Sequence, residues 1–183
     1  MASNVDATLP TERGLLPGNG SLVAALRAAT DREPVVAGKP AAGVLRAAAA
    51  TVGSRRPLVV GDRLDTDIEG AVSAGMPSLL VLTGVHGPAD LLAAGEHRRA
   101  TYLAHDLSAL LQAPELSHIG SAPELVSRVA DDALHLDGIP GDLLGIDLAR
   151  SVIRQAWGHG VTAIGDTGSD VRSRLADAGL VVG

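Results

Sequence analysis

The 183-residue chain has no cysteine and no phenylalanine, and its only aromatic residues besides histidine are Tyr102 and Trp157. Without cysteine there are no disulfides, no thiolate metal ligands and no cysteine nucleophile. With rings so scarce, the core must be assembled from Ala, Leu and Val, which bury less area per residue, so modest stability for the length is expected. Basic residues are also in short supply: 15 Lys and Arg against 21 Asp and Glu leave a formal net charge of −6. Nucleic acid is therefore not an expected partner, because phosphate-backbone binding needs clustered cations, and pairs such as Arg55-Arg56 and Arg98-Arg99 stand alone. No run approaches the ~20 apolar residues of a membrane span. Met1 is followed by the polar ASNVDATLPTERG rather than by an apolar leader, so a cytoplasmic chain with no membrane partner is expected.

What is present is an apolar content of 46%, enough to bury a core of ordinary domain size. Residues 1–20, broken by Pro10, Pro17 and three glycines, read as an irregular arm. SLVAALRAAT then repeats apolar residues at helical spacing behind a Ser21 N-cap. PVVA, PLVV, PSLLVLTG and ATYLAHD read as short strands, and the stretches between them as helices, including LSALLQ. Strands alternating with helices in this way predict a parallel sheet with helices on both faces. After Pro114 the pattern changes. APELVSRVADDAL and GDLLGIDLARSVIRQAWG read as helices, and VTAIGD and GLVVG as strands around a last helix. Residues 113–183 are therefore expected to form an extension, α or α/β, to a core at 21–112.

Ligands of open α/β sheets gather at the carboxyl ends of the strands. Two of these strand ends carry chemistry. PVVA runs into Gly38-Lys39-Pro40, which places a cation at the sheet edge, with Pro40 suited to the first helical position. PLVV runs into GDRLDTDIE, which packs Asp62, Asp65, Asp67 and Glu69 into eight positions. Two readings fit that cluster. Acids favour a helix N-terminus through its partial positive charge. Alternatively, Asp62 ligates a hard cation such as Mg²⁺, which takes one or two carboxylates and keeps waters and phosphate oxygens, while Asp67 holds a metal-bound water.

The order GKP, GDRLDTDI and GAVSAGMPSLLVLTGV closely resembles the haloacid-dehalogenase-like phosphatases, in the branch of 4-nitrophenyl, phosphoglycolate and glycerol-phosphate phosphatases. The resemblance covers roughly Ala2 to Leu111. It implies a three-layer, Rossmann-like α/β core with an incomplete parallel sheet, followed by a mainly helical appendage. It also implies that Lys39 steadies the phosphate and the nucleophile, Asp62 ligates Mg²⁺ and Asp67 supports that metal. Residues 1–20 resemble the chain leaving a mobile cap, so Asn4 and Asp6 would lie near the substrate, a small phosphorylated metabolite.

The family nucleophile sits in an Asp-x-Asp-Gly segment that these 183 residues lack. Asp65-Thr66-Asp67 already serves as another motif, and LHLDGIP has His135 where the nucleophile should stand. IGDTGSD spaces its acids by four rather than five and reads as a capped helix, and the six histidines are too scattered for a metal site. The chain is thus expected to be part of a Mg²⁺-dependent phosphatase and inactive alone. The alternative is a non-catalytic remnant that keeps a phosphate or Mg²⁺ site, or offers its sheet edge to a partner, as a homo-oligomer or with a complementing amino-terminal half.

Overall fold

Short β-branched runs punctuated by glycine give a three-stranded parallel sheet: β3 (Val59–Gly61), β4 (Ser78–Val81) and β5 (Tyr102–Ala104), in that order. The computed structural model describes residues 1–39 and 41–180. Val60 pairs with Leu79, and Leu80 with Leu103. The β3–β4 crossover is a π-helical turn, Leu64–Ile68, continued by α3 (Glu69–Ala74), which stops at Gly75. The β4–β5 crossover is α4 (Pro88–Leu92) with a 3₁₀ turn at Glu96–Arg98.

All four residues of β4 are buried, and alternate side chains serve opposite faces. Leu80 and Leu103 join Ile68 and Leu91 in the main core, whereas Leu79, Val81 and Ala104 form a smaller cluster with Val60, Tyr102 and Ala109. Each fully buried leucine of the main core contributes about 1.5–3 kcal/mol. That core continues past Pro114. Leu148, Val152 and Ile153 of α5 (Gly145–Gly158) belong to it, as does Leu175 of α6 (Ser169–Asp177).

The structure departs from the sequence reading at several places. APELVSRVADDAL is not a helix. It contributes to an antiparallel hairpin, β6 (Ser127–Ala130) and β7 (Ala133–Leu136), because Asp131 and Asp132 both adopt positive φ, at 50° and 56°. A two-residue turn with both φ values positive matches the twist of paired strands. VTAIGD supplies only a parallel bridge, Leu134 to Ile164, and GLVVG lies mostly outside the described residues, as does Pro40. LSALLQ is a 3₁₀ turn, Leu107–Leu111.

The arm is also ordered. β1 (Thr8–Thr11) and β2 (Gly14–Pro17) pair as a hairpin. α1 (Asn19–Thr30) begins at Asn19 without a side-chain cap, because the Ser21 hydroxyl donates to the Ala7 carbonyl at 2.6 Å instead. PVVA narrows to a parallel bridge between Val36 and Ala2, which precedes α2 (Gly43–Thr51). Among the described residues no helix is long and apolar enough to cross a membrane.

Candidate metal and phosphate site

The acid cluster divides in two. Asp65 takes a two-pronged contact from Arg63, at 3.0 and 2.6 Å, and Glu69 accepts from Arg98 Nε at 2.6 Å. The Arg63 hydrogen bond holds the Asp65 carboxyl below its usual range, and the same bond raises the Arg63 guanidinium. These two acids are engaged in surface ion pairs.

Asp62 and Asp67 are held differently. Asp67 is buried, with its side chain 7% exposed; Oδ1 accepts from Lys39 Nζ and Oδ2 from the Arg63 N–H at 3.2 Å. Lys39 reaches it across 28 residues of sequence, so the segment after PVVA meets the π-helical turn after β3 at this pair. Asp62, one residue past β3, is half-buried, and its Oδ2 accepts from the Val85 N–H at 3.0 Å. That is the only hydrogen bond to its carboxylate among the described residues, which leaves the other oxygen for a cation.

Both carboxylates lie against glycine. A Cβ on Gly61 would meet the Asp67 side chain at 2.3 Å, and one on Gly84 would meet Asp62 Oδ2 at 2.0 Å. The glycines of Gly61-Asp62 and of the loop after β4 are thus required by close approach, not merely by turn geometry.

A cavity of about 350 Å³ opens beside Lys39, lined also by Ser3, Asn4, Asp6, Gly38, Arg63 and Thr66. Asn4 and Asp6 therefore share a hollow with Lys39, while Asp62 does not line it. The Asn4 side chain accepts from the Asp6 N–H at 3.2 Å, and Asn19 Nδ2 donates to the Asn4 carbonyl at 2.6 Å, so the loop is braced by the start of α1.

The imitations are accounted for structurally: Asp137 pairs with Arg128 across the β6–β7 hairpin and Asp166 with Arg172. Among the described residues no group of three or more His, Asp or Glu could hold a metal by itself. Sequence reasoning missed Arg63, Ser3 and Thr66 as cavity walls, and it set His86 aside with the other histidines as too scattered for a metal site. His86 instead accepts the Leu64 N–H at 3.2 Å on Nδ1. For Arg63 and Thr66 the signal was proximity to the acids; for His86 there was none.

Residues 36–110 match the family model described as HAD-hydrolase-like. The chain is 52% identical over 156 residues to the D-glycerol 3-phosphate phosphatase of Mycobacterium tuberculosis, covering 84% of this chain and 44% of that protein. A crystal structure of glycerol phosphate phosphatase from M. tuberculosis in complex with magnesium superposes with a TM-score of 0.82 at 46% identity, over 94% of this chain and 52% of that one. The 4-nitrophenylphosphatase of Thermotoga maritima gives 0.51 at 36% identity, over 59% and 42%. The chain spans about half the length of the relatives it matches.

Proposed function

This chain belongs to the haloacid-dehalogenase-like hydrolase family, and from that premise we propose that it supplies the Mg²⁺-binding and phosphate-steadying part of a phosphatase for small phosphate monoesters of the glycerol phosphate kind. The observation that carries the reading is the Lys39–Asp67 ion pair, which joins a cation from one segment to a buried carboxylate in the turn that follows Asp62. Asp62 would hold Mg²⁺, with Asp67 behind it. The donor set fits, because Mg²⁺ takes one or two protein carboxylates and leaves its remaining positions to water and phosphate. When bound, the ion offsets the charge of the phosphoryl group.

Lys39 is 44% exposed, so its ammonium can pair with Asp67 and still direct a proton at a phosphate oxygen. Asn4 and Asp6, which line the same cavity as Lys39, would meet the hydroxyls of the esterified alcohol. The covalent step is attack of an aspartate on phosphorus with departure of the alcohol. We assign it to residues outside these 183, because no Asp-x-Asp-Gly segment occurs among them.

The purified chain should bind Mg²⁺, lose that binding in Asp62→Asn, and fail to turn over 4-nitrophenyl phosphate in about millimolar Mg²⁺. Turnover by the chain alone, abolished by Asp62→Asn, would refute the assignment of the nucleophile elsewhere.

One observation favours the non-catalytic alternative. β3 has no strand on its outer side among the described residues, and a largely apolar groove of about 660 Å³ is lined by Val44, Ala48, Val60 and Met76 and reaches Lys39 and Asp67. An open edge of this kind invites pairing with another strand. Light scattering distinguishes the cases: a stable monomer counts against the groove as a docking edge.

A further inference from the structure

We infer that His86 is a positioning residue that fixes the turn carrying Asp62; the inference rests on the reading of Asp62 as the Mg²⁺ ligand. Three contacts join the loop after β4 to that turn. The His86 N–H donates to the Asp62 carbonyl at 3.1 Å, the Val85 N–H donates to Asp62 Oδ2 at 3.0 Å, and the Leu64 N–H donates to His86 Nδ1 at 3.2 Å. The last contact differs from the others because the loop contributes a side chain to it rather than a backbone amide, so the chemistry at position 86 matters and not only the path of the backbone.

The first amides of any helical segment lack partners within it. Here the segment is the π-helical turn Leu64–Ile68, and Arg63 at its boundary supplies no side-chain cap. Leu64 is 5% exposed and packs in the main core, so its amide has little access to water. The imidazole, 22 residues further along, closes that amide. The segment whose first amide it closes starts two residues after Asp62 and contains Asp67, so the ring braces both carboxylates. The loop bearing His86 is itself fixed: the Asp90 carboxylate accepts from the Gly87 N–H at 2.8 Å at the start of α4.

Groups that orient a metal ligand commonly set affinity by roughly ten- to a hundred-fold. The test is calorimetric titration of the 183-residue chain with Mg²⁺ alone, in wild type, His86→Ala and His86→Asn. Asparagine places an acceptor oxygen near the position of Nδ1. The expected result is weakening of roughly ten-fold or more in His86→Ala and recovery in His86→Asn. Equal affinities in wild type and His86→Ala overturn the inference. Equal weakening in both variants also overturns it, since ring packing rather than an acceptor would then be responsible.

Two readouts need no metal. The Val85 amide, bonded to Asp62 Oδ2, should shift in His86→Ala and return in His86→Asn; an unmoved Val85 resonance refutes positioning even if wild type binds no Mg²⁺. A chain that binds no Mg²⁺ yet shows those shifts overturns the reading of Asp62 as a ligand and leaves the brace standing. In ¹⁵N-labelled wild type, a coupling across the hydrogen bond between the Leu64 and His86 Nδ1 nitrogens is expected. Its absence refutes the inference even if the variants do not fold.

Discussion

The Lys39–Asp67 pair should respond asymmetrically to loss of either partner. The Asp67 side chain is 7% exposed and that of Lys39 is 44% exposed, so the two ends of one ion pair face different solvents. Lys39→Met leaves a buried carboxylate with one remaining donor, the Arg63 N–H at 3.2 Å. Stripping a fully buried charge of its partner costs about 3–5 kcal/mol. Water can enter through the space the lysine vacates, so about 2–3 kcal/mol is expected here, the range of a lost charge-assisted hydrogen bond. Asp67→Asn has the same shape, keeps an acceptor for the Arg63 N–H and strands only an ammonium that water already reaches. It should cost about 1 kcal/mol. In the double variant no uncompensated charge is buried, so its cost should fall short of the sum by about 1–2 kcal/mol. Urea denaturation followed by far-ultraviolet circular dichroism measures all three, compared through midpoints at constant slope. Equal costs for the single variants, or strict additivity in the double, would refute the claim that a desolvated carboxylate dominates the pair.

Gly84→Ala would place a Cβ 2.0 Å from Asp62 Oδ2 and should cost about 1–3 kcal/mol and weaken Mg²⁺ binding, whereas Gly141→Ala, with nothing within 4 Å, should stay within about 0.5 kcal/mol. Indistinguishable denaturation midpoints for the two would show that Asp62 does not lie against Gly84. The Arg63 hydrogen bond lowers the Asp65 pKa in the folded chain, so its stabilisation is complete above about pH 4 and vanishes as pH falls through the folded value. With side chains 46% and 38% exposed, the pair contributes less than about 1 kcal/mol. The gap between wild type and Asp65→Asn in urea should therefore shrink from about pH 6 to about pH 3, and a gap that persists at the lower pH counts against the pairing.

The part of the fold that reads directly from sequence is the part governed by local rules. The runs ending at Gly61 and Val81 are β-branched or leucine-rich and bounded by glycine and proline, and they pair in parallel as expected. Asp62 and Asp67 were legible as a pair because strand-end position and a spacing of five are local properties. Lys39 was legible as a strand-end cation, but its attachment to Asp67 is tertiary, and only the family wording of GKP and GDRLDTD connected the two in advance.

Elsewhere local evidence was misleading or silent, for identifiable reasons. VSRVADDALHL satisfies a helical spacing of apolar residues, and only its second half also alternates, with Leu134 and Leu136 buried and Ala133 and His135 half-buried. The deciding feature is Asp131-Asp132, since aspartate tolerates the positive φ that a two-residue hairpin turn demands at both positions. Apolar periodicity cannot register that preference, because neither residue is apolar. His86 is invisible for a different reason. Its neighbours Gly84, Val85 and Gly87 mark only a loop, and its partner is a backbone amide, which every non-proline residue carries and no sequence pattern distinguishes. The need for a cap at Leu64 arises only once the chain after Asp62 winds as a π turn with Leu64 held in the core, so the requirement and the residue that meets it lie on two successive crossovers, one on either side of β4 in sequence.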